Sequence, residues 1–97
     1  MRKPTHPGAV LREDILPELE VSKTSLAHAL DISRQMLYGI INEEKPVSPE
    51  TAIKLAAYFG NEPEMWLNMQ MKYDLYKAQK AIKPSVLKRI EKEKAAA

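Results

Sequence analysis

Ninety-seven residues, 44% of them apolar, suffice for one domain with one modest core and argue against a disordered chain. The absence of cysteine excludes disulfides and thiolate-held zinc or iron–sulfur sites. The net charge of +2 hides an asymmetry: residues 1–71 hold seven Lys/Arg against ten Asp/Glu, whereas residues 72–97 hold eight against three.

The start, MRKPTHPGAV, is basic but has no apolar run behind it, so no signal peptide is expected. Pro7 suits the first turn of a helix reaching to about residue 16 or 19, with Leu11, Ile15 and Leu19 one helical turn apart on its core face. Pro17 is expected to end or distort that helix. Ser22 is the N-cap expected for a second helix over 23–30, and a third runs from Arg34 to about residue 42. Glu43-Glu44-Lys45-Pro46-Val47 is a polar loop. Ser48-Pro49-Glu50 opens a fourth helix with a cap, a first-turn proline and an acid near the positive helix end. Ala52, Leu55, Ala56 and Phe59 give it one apolar stripe, and Gly60 stops it. A fifth helix runs from about residue 61 to 81, and Pro84 separates it from a short last helix carrying Val86, Leu87 and Ile90. No strand-like alternation, repeat or membrane-length apolar run appears, so the expected fold class is all-α with five or six helices.

Residues 25–42 carry most of the functional information. Leu26 and Leu30, and Leu37 and Ile41, give two short helices a buried stripe each. Ala27 is small where the helices would cross, Asp31-Ile32-Ser33 turns the chain, and Ser33 can cap the second of the two helices. The outward face of that second helix then carries Arg34, Gln35, Tyr38 and Asn42. Arg and Gln suit bidentate hydrogen bonds to base edges in a major groove, and the leading residues of a recognition helix are the ones that meet bases. Arg34, Gln35, Tyr38 and Gly39 are therefore the expected base contacts; the plainer reading of the first two is solvated surface. Tyr38 has two equal readings, contact with a thymine methyl or phosphate, or half-burial against the neighbouring helix. Gly39 costs about 1 kcal/mol relative to alanine inside a helix. It implies close approach either to DNA or to another helix. Ser22, Lys23, Ser25, Ser33, Asn42 and Lys45 flank this helix and are the expected phosphate contacts, with capping as the plainer role of the serines.

Other chemistry has little support. His6 and His28 lack partners at metal-ligand spacing, and no HExxH, Gly-rich phosphate loop or nucleophilic cysteine occurs. No enzyme, metal or cofactor is expected, and cytoplasm is the expected compartment. On the fifth helix, Trp66, Met69, Tyr73 and Tyr76 form a stripe read as intramolecular core. Leu67, Met71 and Leu75 form a second stripe. Together with Val86, Leu87 and Ile90 of the tail, that stripe is the expected contact of a homodimer or of a partner, the alternative being that these residues only complete the monomer's core. The acidic balance of residues 1–71 counts against DNA binding, since phosphate attraction supplies much of the affinity of such proteins.

These motifs resemble HigA/VapI-type antitoxins, a branch of the Xre/Cro helix-turn-helix superfamily. The resemblance rests on His6-Pro7-Gly8 with Leu11 and Leu16; on Leu26-Ala27, Leu30, Ile32-Ser33-Arg34, Leu37 and Ile41-Asn42; on Ser48-Pro49-Glu50-Thr51-Ala52, Leu55-Ala56 and Phe59-Gly60; and on Trp66-Leu67-Asn68-Met69-Gln70 with Tyr73-Asp74-Leu75. It spans residues 6 to about 78, and its last block is more specific than the helix-turn-helix. Asp31 stands where the family often has glycine, and aspartate tolerates the left-handed conformation a turn needs there. The resemblance implies a lambda-repressor-like DNA-binding domain that dimerises on a palindromic operator at its own promoter and neutralises a partner RNase toxin. The expected organisation is a domain over 1–82, with the helix-turn-helix at about 23–42, and a basic helical tail over 83–97. A stand-alone Xre-family regulator without a toxin, or a protein-interaction module without DNA binding, are the alternatives.

Overall fold

The computed structural model describes residues 2–96, so Met1 and the last residue of the expected tail, Ala97, lie outside it. Among the described residues there are six α-helices and no strand: α1 (Pro7–Val10), α2 (Lys23–Ala29), α3 (Arg34–Ile41), α4 (Pro49–Phe59), α5 (Pro63–Ala81) and α6 (Pro84–Ala96). The all-α expectation holds. No described helix is long and apolar enough to cross a membrane.

The first helix is distorted ahead of Pro17, as expected. After Val10 it widens into a π turn over Leu11–Ile15, with the Leu16 amide donating to the Leu11 carbonyl, and then tightens into a 3-10 turn over Leu16–Glu18. Pro17 explains the change: it has no amide to give, and its ring clashes with the carbonyl four residues back unless the ladder shifts. Leu11 is fully buried, while Ile15 and Leu16 pack partly against the core. Leu19, expected on the same helical face, already lies in extended backbone.

The other ends are set by capping. Ser22, Ser33 and Ser48 each accept a hydrogen bond from the amide three residues on, at 3.0, 3.0 and 3.2 Å. Gly60 ends α4 at φ 72°, a left-handed conformation that glycine adopts without a Cβ penalty. Trp66 is fully buried and its indole N–H donates to the Asn61 side-chain carbonyl at 2.9 Å; Tyr73 is buried and Met69 packs against the core as expected, whereas Tyr76 at the end of the stripe is only half-buried. Together with Leu26, Leu30, Leu37, Ile40, Ile41, Val47 and Leu55, Trp66 forms one apolar cluster.

Two close contacts join α1 to the rest. A Cβ built on Gly8 would lie 1.7 Å from the carbonyl oxygen of Ile40, so α1 and α3 meet backbone to backbone. His6 is buried before α1; its Nδ1 accepts from the Gly8 amide at 2.8 Å and its ring meets Tyr73 of α5 edge-on at 4.8 Å. Burial pushes the His6 pKa below the ordinary value of 6.5, against the opposite pull of the Glu43 and Asp74 carboxylates. The unfolded chain thus takes up a proton at a higher pH than the folded one. Stability that is complete above pH 6.5 is lost progressively as the pH falls below it. A His6→Asn variant keeps an acceptor for the Gly8 amide and has no ring to titrate. Melting temperatures recorded between neutral pH and pH 5 should decline more for the wild-type chain than for this variant. Superimposable profiles would refute the assignment.

The last helix stands apart. The molecule measures 58 × 22 × 21 Å, and its radius of gyration of 17.2 Å exceeds the value of about 12.5 Å for a compact chain of this length. α6 contributes no residue to the buried cluster. It thus lies outside the core formed by the preceding elements.

Candidate nucleic-acid interface

The helix-turn-helix is α2, the four residues Leu30 to Ser33, and α3. The turn closes with Asp31 at φ 54° and with the Ile32 amide donating to the Ala27 carbonyl at 3.1 Å. Lys54 of α4 donates to the Asp31 carbonyl at 2.9 Å and ties the turn to the neighbouring helix. α3 then starts in a defined place, with Ser33 holding the Met36 amide.

Leu37, Ile40 and Ile41 of α3 are buried. At 3.6 residues per turn, Arg34, Gln35, Tyr38 and Asn42 fall within roughly a 100° sector of the helix. All four are exposed. Arg34 and Gln35 lead the helix beyond the Ser33 cap and make no side-chain hydrogen bond or ion pair with another described residue. Their donor and acceptor groups are free for an external partner.

Tyr38 is 39% exposed, with the Lys23 ammonium of α2 lying 5.6 Å from its ring centre. Both readings of this residue thus retain a physical basis: the ring meets a side chain of α2 and remains partly exposed. Lys23, Tyr38 and the Ser22–Ser25 pair, whose hydroxyls are 3.0 Å apart, occupy one side of the motif. Ser33 is engaged as a cap through one lone pair, which leaves its exposed hydroxyl proton free, whereas Ser22 both caps α2 and donates to the Ser25 hydroxyl.

Gly39 corrects its expected place. It is buried, so it offers no surface to a base. Its close neighbour is a loop side chain rather than a second helix. A Cβ there would meet the Lys45 stem, at 2.7 Å from Cδ and 2.8 Å from Cγ. The chain folds back after α3, with the Glu44 and Lys45 amides both donating to the Gly39 carbonyl, at 2.8 and 3.0 Å. Glycine at position 39 thus lets the Lys45 stem lie on α3 while its ammonium remains exposed. In a double-mutant cycle, Gly39→Ala should gain little or nothing alone, because the added methyl displaces that stem. In a Lys45→Ala background it should gain about 0.5–1 kcal/mol of helix propensity. Urea melts of the four chains measure the coupling, and strict additivity would refute the contact.

Three residues to which the sequence alone assigns no such role hold the far end of α3. Arg12 donates through Nη1 to the Ile41 carbonyl and through Nη2 to Glu43 at 3.1 Å, covering a helix C-terminus where carbonyls lack partners. Glu43 takes a left-handed φ of 62° to allow the fold-back. Gln70 of α5 is buried; it accepts from the Val47 amide at 2.8 Å and donates to Asp74 at 2.9 Å, fixing the loop after α3 to α5. Arg12 lies 29 residues from Ile41 and Gln70 lies 23 from Val47, so no local pattern announces either link.

The residues expected at a dimer contact are only partly free. Leu67 packs against the core and is half-buried, so its main role is internal. Val86 is half-buried as well. Met71 and Leu75 are more than half exposed, and Leu87 and Ile90 are similarly open. A shallow depression of about 480 Å³ runs along α5 between Leu67, Gln70, Met71, Asp74, Leu75 and Ala78.

Comparison with known proteins fits this geometry. The helix-turn-helix family model matches residues 11–67. Virulence-associated protein I of Dichelobacter nodosus is 40% identical over 74 residues, covering 76% of this chain and 68% of that protein. Antitoxin HigA-1 of Vibrio cholerae is 37% identical over 75 residues, covering 77% and 70%. The structure of Pseudomonas aeruginosa antitoxin HigA with the higBA promoter superposes with a TM-score of 0.77 at 35% identity, covering 84% of this chain and 97% of that one. The chain belongs to the helix-turn-helix family, in the Xre branch that holds the HigA/VapI-type proteins.

Proposed function

We propose that this protein is a sequence-specific DNA-binding repressor of antitoxin type, which silences its own operon and neutralises a partner RNase toxin in the cytoplasm. The observation that carries the reading is α3: its first turn presents Arg34 and Gln35 uncommitted, on a helix anchored at both ends by the Ser33 cap and the Arg12 clamp. A protein-interaction module has no need of that arrangement. Arg34, Gln35 and Tyr38 read bases, while Ser22, Lys23, Ser25, Ser33, Asn42 and Lys45 hold phosphates. The DNA-binding domain spans residues 1–82 and the basic tail 83–97.

One recognition helix covers few base pairs, and residues 1–71 are net acidic. Two copies related by a two-fold axis place two α3 helices about 34 Å apart, one DNA turn, on a palindrome. Met71 and Leu75, with Leu87 and Ile90, supply the apolar surface for that homodimer. The test is binding of the full chain to duplex DNA from its own promoter, with a scrambled duplex of equal length as competitor. Tight, competitor-resistant binding is expected; equal affinity for both duplexes would overturn the repressor reading. Co-purification with the product of the neighbouring small reading frame, and loss of that product's RNase activity in the complex, tests the antitoxin role. Operator binding without any such partner would leave the stand-alone regulator.

A further inference from the structure

We propose that α6 and the end of α5 form a second contact to nucleic acid, an arm whose basic face grips the phosphate backbone of duplex DNA beside the bases read by α3. The inference rests on the DNA-binding reading above and assigns a task to the segment outside the helix-turn-helix. The need for it is electrostatic. A DNA-binding body with seven Lys/Arg against ten Asp/Glu lacks the cationic surplus that releases counterions and supplies affinity. The surplus lies elsewhere, in the eight Lys/Arg of residues 72–94. All eight are exposed, and none of them lies within 4.0 Å of a carboxylate among the described residues.

Two arrangements turn this surplus into a surface. The ammoniums of Lys3 and Lys77 both lie 5.5 Å from the ring centre of Tyr73, and that of Lys80 lies 5.2 Å from Tyr76. Lys3, Lys77 and Lys80 line one open depression of about 370 Å³ with Tyr76. Three cations converge there without a paired acid among the described residues, an arrangement that an anion between them would stabilise. On α6, at 3.6 residues per turn, Lys88, Arg89 and Lys92 fall within roughly one 100° sector, opposite Val86, Leu87 and Ile90. A second copy covering the apolar face would leave the basic face open.

Reach is supplied by shape. α6 has 13 residues, about 20 Å of helix, and none of its described residues joins the buried cluster of this molecule 58 Å long. An amphipathic basic helix also suits an anionic membrane surface. DNA is favoured because α3 of the same chain already carries free base-reading groups.

The experiment measures binding of the full chain to its operator duplex and to a scrambled duplex over a range of salt concentrations. Two triple variants are compared with wild type, Lys88→Gln/Arg89→Gln/Lys92→Gln and Lys3→Gln/Lys77→Gln/Lys80→Gln. Each lost phosphate contact lowers the slope of log affinity against log salt by about 0.9. Each triple should therefore flatten it by about 2–3 per protomer, and should weaken both duplexes by the same factor. Glu91→Gln/Glu93→Gln should act in the opposite direction and tighten both. Light scattering on each variant reports assembly. An unchanged slope overturns the arm, as does a loss of affinity that tracks a loss of dimer. So does capture by anionic vesicles with no change in the DNA slope. Failure of the wild-type chain to prefer its operator would instead sink the repressor reading, and would leave the slopes on scrambled DNA to judge the arm.

Discussion

Gly8→Ala should cost about 3 kcal/mol or more and lower the melting temperature by about 12 °C or more. The reason is the 1.7 Å separation between an added Cβ and the Ile40 carbonyl oxygen. That oxygen belongs to the backbone of α3, whose hydrogen bonds resist movement, so no side-chain rotation relieves the clash. α1 would have to leave α3. The His6 cap and its contact with Tyr73 would loosen with it, because both depend on where α1 begins. Domains of this size hold only about 5–15 kcal/mol in all, so much of the margin disappears. Gly60→Ala is the control. A Cβ at position 60 meets nothing within 4 Å, and its only penalty is the left-handed φ, about 1–2 kcal/mol. Thermal melts of the two variants separate steric from conformational cost. A Gly8→Ala chain no less stable than Gly60→Ala would show that α1 does not pack on α3 as described.

The contrast between these two glycines marks what a sequence discloses. Gly60 comes directly after the last residue of an apolar stripe, and its role as a helix stop is a matter of local geometry. The same holds for Ser22, Ser33 and Ser48, each leading at once into a helix, and for Asp31 at the turn. Periodicity places Leu26, Leu37, Leu55 and Trp66 in the core because burial on one helical face repeats every three to four residues. Gly8, Arg12 and Gln70 act on partners more than 20 residues away. Their roles exist only once helices are packed. Gly39 is unusual on its helix cost alone, but the neighbour that requires it, Lys45, arrives by a fold-back that depends on Glu43 in a left-handed conformation. Leu67 sits on the boundary between two stripes of one helix, and only packing decides which side receives it. The recognition face is legible for the opposite reason: exposed Arg34 and Gln35 need no distant partner to be placed.

Replacing either of those two residues should therefore affect recognition and leave folding intact. Arg34→Ala and Gln35→Ala each remove a bidentate donor or donor–acceptor pair, a loss of about 1–3 kcal/mol per base pair read. In a two-fold complex each substitution acts twice, so the operator complex should weaken by about 2–6 kcal/mol. Neither side chain is buried or bonded within the chain, and Ser33 still caps α3, so melting temperatures should stay close to wild type. Preference at one base pair in each half-site should relax, and the salt dependence should change little for Gln35→Ala because no charge is lost. Arg34→Ala separates the two roles an arginine can have. If it reads a base, affinity for the operator falls while affinity for scrambled DNA is nearly unchanged. If it holds a phosphate, both fall together and the salt slope drops by about 0.9 per contact. Titration of both duplexes with each variant distinguishes these outcomes. A uniform loss for both substitutions would move base reading away from the first turn of α3, and Tyr38, with its partly exposed ring beside Lys23, would be the remaining base-reading side chain on that face.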